Sequence, residues 1–169
     1  MADGGSRGAG AFPRVGLGFD VHPRDEARPL VLGGVRFEGE PGVAGHSDGD
    51  VVCHAVADAL LGAAGLADLG AHFPDTDPSI AGIVGTELLT RVVALVRTQD
   101  LHPVSCDTTV LAERPAIAPR RSEMSGTVAS VLGVDAAAVS VKATRPEGLG
   151  LTGDGVGCIA VVTLVPGTV

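Results

Sequence analysis

The chain has 169 residues, a net charge of −8 and 45% apolar residues, with 25 glycines, 4 phenylalanines and neither tryptophan nor tyrosine. That length predicts one domain, and the acidic balance argues against nucleic acid or an anionic membrane as partner, since both need a basic footprint. A core limited to Val, Leu, Ile and Ala suits helices laid closely on a sheet, and a small domain of this kind gains by burying surface in an oligomer.

The Gly-rich residues 1–12 read as a flexible tail ahead of a domain over 13–169. They lack the apolar run of a signal peptide, and no stretch approaches the length of a membrane span. Cys53, Cys106 and Cys158 are odd in number and lack CxxC spacing. They read as small buried hydrophobes in a reducing compartment, so a cytoplasmic location is expected.

Along the chain, Val15, Leu17, Phe19 and Val21 alternate with Gly16, Gly18, Asp20 and His22. This is the pattern of a strand with one buried apolar face, which places Asp20 and His22 side by side on the other face. Leu30–Leu32 and Val35–Phe37 flank Gly33-Gly34 as a hairpin, and 38–45 reads as a loop. Ser47 or Asp48 can then cap a helix running from near Asp48 to Gly62 or Gly65, with Val52, Val56 and Leu60 inward. His54 and Asp58 share one face of it, four residues apart. One carboxylate and two imidazoles, Asp20, His22 and His54, make a three-ligand site with the open fourth position of catalytic zinc. Each half alone is a common pattern, and spacing does not bring the halves together. Cys53 points about 100° away from His54 and reads as buried. Asp48, Asp50, Asp58, Asp68, Asp75 and Asp77 cluster where cations could be held, or form a solvated acidic face.

Residues 67–81 read as a long irregular segment, of the kind that is functional or mobile. A second helix begins near Thr86, with Leu88, Leu89, Val92, Val93 and Val96 at helical spacing; 104–111 is a buried strand; and a third helix spans Arg120 to Leu132, stopped by Gly133. Strands at 139–143 and 159–165 enclose a Gly-rich connection that either approaches a ligand or makes a wide turn. The fold class expected is α+β (α/β layered): a mainly four-stranded mixed sheet with helices packed on one face, plus a small hairpin.

Taken together, several stretches resemble the 2-C-methyl-D-erythritol 2,4-cyclodiphosphate synthase family of the non-mevalonate isoprenoid pathway. They are Gly18-Phe-Asp-Val-His22, Leu32-Gly-Gly-Val35, Gly45-His-Ser-Asp-Gly-Asp50, His54-Ala-Val-Ala-Asp-Ala-Leu-Leu-Gly62, Asp68-Leu-Gly70, Phe73-Pro-Asp-Thr-Asp-Pro78, Val141-Lys-Ala-Thr144, Glu147-Gly-Leu-Gly150 and Thr152-Gly153. The similarity runs from Arg14 to Val165. It implies a homotrimer with active sites between neighbouring subunits, and cyclisation of 4-diphosphocytidyl-2-C-methyl-D-erythritol 2-phosphate with release of CMP, a phosphorus–oxygen lyase reaction. It implies Zn2+ on Asp20, His22 and His54, completed by a substrate phosphate oxygen, and a second divalent ion, Mg2+ or Mn2+, at Glu147. The reacting groups are all anionic, so two cations that neutralise and orient them fit the chemistry, with the protein supplying position rather than covalent catalysis.

The same resemblance implies roles for individual residues. His46 and Arg145 stand at the positions that stabilise the transition state. Asp20, Val21, His22, His46 and Ser47 would contact substrate; Asp68, Leu69 and Gly70 would line its ribose and erythritol side; Phe73, Pro74, Asp75, Thr76 and Asp77 would form a flexible substrate loop. Ala112, Glu113, Arg114, Pro115, Ala116, Ile117 and Ala118 would bind the cytidine diphosphate. Thr144, Arg145, Pro146, Glu147, Leu151 and Asp154 would complete the contacts. Asp58, by its helical spacing from His54, is expected to accept the distal N–H of a ligating histidine.

Several departures fall on these positions. The family's Thr-Thr-Thr-Glu is Thr144-Arg145-Pro146-Glu147 here, its Gly-Arg-Gly-Glu-Gly is Gly153-Asp154-Gly155-Val156-Gly157, its Pro-Lys is Pro115-Ala116, and its Gly-Ala-Asp-Ser is Gly82-Ile83-Val84-Gly85. A working synthase is the first reading. The alternatives are a diverged paralogue acting on another phosphorylated or nucleotide-linked substrate, or a non-catalytic metal-binding trimer.

Overall fold

The structure, a computed structural model, describes residues 12–150 and 152–167, the side chain of Ser79 apart. Leu151 and most of the glycine-rich N-terminal segment lie outside the described residues. Helix α1 (Val51–Ala64) organises the fold. It carries no polar side chain except His54 and Asp58, apart from the thiol of Cys53, and 12 of its 14 residues are buried, so it has to be covered on both sides. One side rests on a four-stranded sheet built from β1 (Arg14–His22), β4 (Leu101–Leu111), β5 (Val139–Thr144) and β6 (Val156–Pro166). The other side meets α3 (Gly85–Arg97). The strand order is β1-β6-β4-β5, antiparallel except for the β4–β5 pair. That parallel pair needs a crossover, which α4 (Arg121–Leu132) supplies before Gly133 closes it at φ +75°.

The β1 alternation forms a strand, but its faces are the reverse of the expected ones. Val15, Leu17, Phe19 and Val21 are 67, 67, 51 and 41% exposed, while Gly16 and Gly18 face α1. The reason is proximity. A Cβ on Gly16 would stand 1.9 Å from the Ala59 carbonyl oxygen, and one on Gly18 2.0 Å from that of Ala55. The helix lies directly on the strand backbone, so only glycine fits beneath it. The apolar side chains are left on the outer face of the sheet.

The hairpin is longer than expected: β2 (Arg24–Leu32) and β3 (Val35–Val43) form a second, two-stranded sheet, with Gly33 and Gly34 turning at φ +58° and +73°. Helix α1 is capped by Asp50 rather than by Ser47 or Asp48. The fully buried Asp50 carboxylate accepts from Val52 N and Cys53 N at 3.1 Å each. It also accepts from Gly33 N at 2.8 Å and Gly34 N at 2.6 Å, pinning the hairpin turn to the start of the helix. Within 67–81 the chain forms a short α2 (Leu69–His72) and one 3-10 turn at Pro78–Ile80. Among the described residues no helix is long and apolar enough to cross a membrane.

Candidate metal-dependent active site

The two halves of the split site meet because β1 and α1 run past each other at glycine distance. Gly16 lies against Ala59 and Ala63, Gly18 against Ala55 and Ala59, and the next residue on that face, Asp20, reaches His54. Asp20 Oδ2 is 3.1 Å from His54 Nδ1 and 3.1 Å from His22 Nε2, and one ligand atom from each residue lies within 4.8 Å of the other two. Tetrahedral zinc with bonds near 2.1 Å requires ligand atoms roughly 3.4 Å apart, so the donor set fits such an ion. Burial works to raise the Asp20 carboxyl, but hydrogen bonds from His22 and His54 outweigh it and hold Asp20 well below the usual carboxylate range. For His54, burial lowers the imidazole, and the bond to Asp20 overcomes it and raises it. A carboxylate held ionised beside two imidazoles is a ready cation site.

The far nitrogen of His54 goes to Ser47, not to Asp58. Ser47 Oγ is 3.0 Å from His54 Nε2 and accepts from Gly49 N at 3.1 Å. These contacts on both ring nitrogens fix the plane of the imidazole, and with a metal on Nδ1 the Nε2–H would donate to Ser47. Asp58, expected in that role, instead accepts from the Leu69 backbone N–H at 3.2 Å and holds the start of α2 against α1. The neighbouring acids are likewise occupied by backbone. Asp48 accepts from Asp50 N and Gly85 N, Asp50 from four N–H groups, and Asp68 caps α2 through Ala71 N. These three carboxylates of the acidic cluster are structural caps rather than cation ligands.

The trio opens into a cavity of about 200 Å³ whose wall includes His46, Ser47, Leu69, Gly70, Phe73 and Asp75, all anticipated, together with Ile80, Ile83 and Leu88, which were not. Those three are apolar residues whose sequence context marks them only as core. Ala112, Pro115, Ala116, Ile117, Ala118, Thr144 and Arg145 gather around a different cavity, joined by Arg121. Glu113, Arg114 and Asp154 line a third with Arg24. The strand register explains the separation. Asp20 pairs with Cys158, Cys158 with Val110 and Val110 with Ala143, so the metal trio and the 144–147 segment sit at one end of the sheet but on opposite edges. Three strand spacings amount to about 14 Å. Glu147 is exposed, at φ +54°, and outside the Asp20/His22/His54 group. Its loop is tied to the 112–118 segment by Glu113, which accepts from Gly148 N at 2.9 Å. Of the departing residues, Pro146 and Val156 are buried, whereas Arg145 and Asp154 are exposed.

A carboxylate and two imidazoles that could hold a metal ion, opening into a small cavity on a helix laid over a mixed sheet, mark a candidate enzyme site on an α+β fold. The chain belongs to the YgbB family, whose sequence profile covers residues 13–165. It is 48% identical over 155 residues to the 2-C-methyl-D-erythritol 2,4-cyclodiphosphate synthase of Trichlorobacter lovleyi, an alignment spanning 90% of this chain and 99% of that one. A solved 2C-methyl-D-erythritol-2,4-cyclodiphosphate synthase with CDP bound superposes with a TM-score of 0.83 at 33% identity, over 89% of this chain and 99% of the other. The bifunctional IspDF of Campylobacter jejuni gives a TM-score of 0.87 at 38% identity over 92% of this chain, which spans 42% of that longer protein.

Proposed function

We propose that the protein cyclises 4-diphosphocytidyl-2-C-methyl-D-erythritol 2-phosphate to the 2,4-cyclodiphosphate and releases CMP, acting as a cytoplasmic phosphorus–oxygen lyase. The observation that carries this reading is the approach of Asp20 Oδ2 to 3.1 Å from both His22 and His54 at the mouth of a cavity also lined by His46 and Phe73. It is supported by the relatives' activity and by the CDP held by the solved synthase. Zn2+ on the trio, with Mg2+ or Mn2+ held by Glu147, would supply the charge neutralisation that phosphoryl transfer between anions requires. The chain's own residues would do the positioning. His46 and Ser47, which line the cavity, would contact the substrate, and the apolar lining of Leu69, Phe73 and Ile83 would limit water around it. The 112–118 segment takes the nucleotide, and Arg145, beside it, offers a guanidinium to the diphosphate.

A homotrimer with sites between subunits accounts for two further observations. The metal trio and the nucleotide segment occupy opposite sheet edges of one protomer, and Val15, Leu17, Phe19, Val21, Ile159 and Val161 leave an apolar sheet face uncovered. Leu17→Asp should then yield monomers by sedimentation and abolish turnover while leaving the protomer folded. The direct test is to incubate the purified protein with the cytidine diphosphate substrate and divalent metal. CMP and the cyclic diphosphate should appear in equal amounts by 31P NMR and chromatography. CMP without the cyclic product, or neither, overturns the assignment.

A further inference from the structure

Arg28 of β2 reaches across to the loop that carries His46. Its guanidinium donates from one η nitrogen to the Gly45 carbonyl at 2.7 Å and from the other to the Ser47 carbonyl. These are the two carbonyls on either side of His46. No carboxylate pairs with Arg28 among the described residues, and the side chain is half-buried, so its fork is committed to this loop. The strand geometry directs it there. The β2–β3 register shifts on both sides of the Pro29–Pro41 pair, and Gly42 of β3 runs so close that a Cβ would stand 2.6 Å from the Arg28 carbonyl oxygen. The irregularity releases residue 28 from the regular ladder and aims it at residues 45–47.

The loop held in this way does two things. It presents His46 to the cavity, and it places Ser47 Oγ 3.0 Å from His54 Nε2. We infer that Arg28 is a positioning residue: by clamping the carbonyls of Gly45 and Ser47 it sets both the direction of His46 and the Ser47–His54 hydrogen bond behind the metal trio. A planar guanidinium can serve two carbonyl oxygens at once with fixed geometry, whereas an ammonium at the end of a flexible stem cannot hold both in the same register. Arg28 is not among the residues that line the cavity beside the trio. Its effect is transmitted through the backbone of three residues, and its catalytic part rests on the cyclase reading above.

The test uses Arg28→Ala and Arg28→Lys, with Arg91→Ala, an exposed helical ion-pair residue, as control. Zinc affinity of the metal-stripped full-length protein is measured by chelator competition, alongside kcat/KM and thermal melting. Arg28→Ala should bind zinc about 10-fold more weakly and lose at least about 10-fold in kcat/KM, the range typical of disturbed support around a metal ligand. Millimolar guanidinium ion should restore both in Arg28→Ala and in neither the control nor Ser47→Ala, and Arg28→Lys should fall between. Unchanged zinc affinity in a folded Arg28→Ala overturns the inference, as does loss of zinc binding that guanidinium fails to restore. If Arg28→Ala does not fold, Arg28→Lys decides by the same readouts. If the unmutated protein shows no cyclase turnover, the function fails separately, and the zinc and guanidinium measurements still decide the role of Arg28.

Discussion

Ser47 Oγ stands 3.0 Å from His54 Nε2, on the side of the ring opposite Asp20. His54 is thus held from both nitrogens, with Nδ1 turned toward Asp20.

Ser47→Ala tests that relationship most simply. The substitution removes the hydrogen-bond partner of His54 Nε2 and the acceptor of Gly49 N–H, which should cost about 1 kcal/mol of stability. Zinc retention should suffer more, with affinity falling about 10-fold in a chelator competition. Ser47→Thr, which keeps the hydroxyl, should retain most of it. Equal affinities in Ser47→Ala and the native chain would dismiss the hydrogen bond as incidental.

Gly18→Ala should disable the site without touching a ligand. The added methyl would stand 2.0 Å from the Ala55 carbonyl oxygen, and that atom belongs to buried helix backbone that cannot rotate away. Either α1 lifts from β1 or the strand bends, and both separate Asp20 from His54. Destabilisation of about 3 kcal/mol or more in urea titration is expected, at the upper end for overpacked cores, together with loss of tight zinc binding. A crystal structure of the variant with the Asp20–His54 distance unchanged would refute this account.

Asp50→Asn is nearly isosteric and should nonetheless be damaging. Both carboxylate oxygens accept backbone N–H groups, so an amide nitrogen in place of either would face a donor: Gly34 on one side, or Gly33, Val52 and Cys53 on the other. Buried donors left unmatched cost about 1–3 kcal/mol each. Chemical denaturation should register a loss of about 2–4 kcal/mol, and a loss below 1 kcal/mol would show that the turn relaxes around the amide.

The thiols should be inert in the native state. Cys53, Cys106 and Cys158 are all free and buried. Burial, reinforced by Asp107, pushes Cys106 up to about 12, and burial raises Cys53 and Cys158 as well. At pH 8 their thiolate fractions are therefore very small. A disulfide reagent should modify none of them within minutes in buffer and all three in denaturant. Rapid labelling of one thiol in the folded protein would contradict its burial.

Much of this architecture could be read from the residues. The period of β1, the Gly33-Gly34 turn, the aliphatic spacing of α3 and the stop at Gly133 are local signals, and each produced the expected element. Asp20, His22 and His54 were legible as candidate ligands, but their meeting depends on how closely a helix approaches a strand. Gly16 and Gly18 carry that information only once the helix above them is known. The inverted faces of β1 arise the same way: alternation specifies two faces but not which one a distant helix will cover. The roles of Asp48, Asp50 and Asp58 were illegible for a related reason. A carboxylate that accepts backbone N–H groups from Gly33, Gly85 or Leu69 looks, in sequence, like any other acid in an acidic stretch.

Helix α1 has one more consequence. A rod buried along nearly its whole length, pressed on glycine backbone at two points and bearing a candidate metal ligand at its fourth residue, leaves sequence drift almost no room. In a library of random single substitutions, tolerated changes should be scarce at 51–61 and frequent on the outer face of α3. There Thr90, Arg91 and Ala94 face solvent, and a new side chain meets only water.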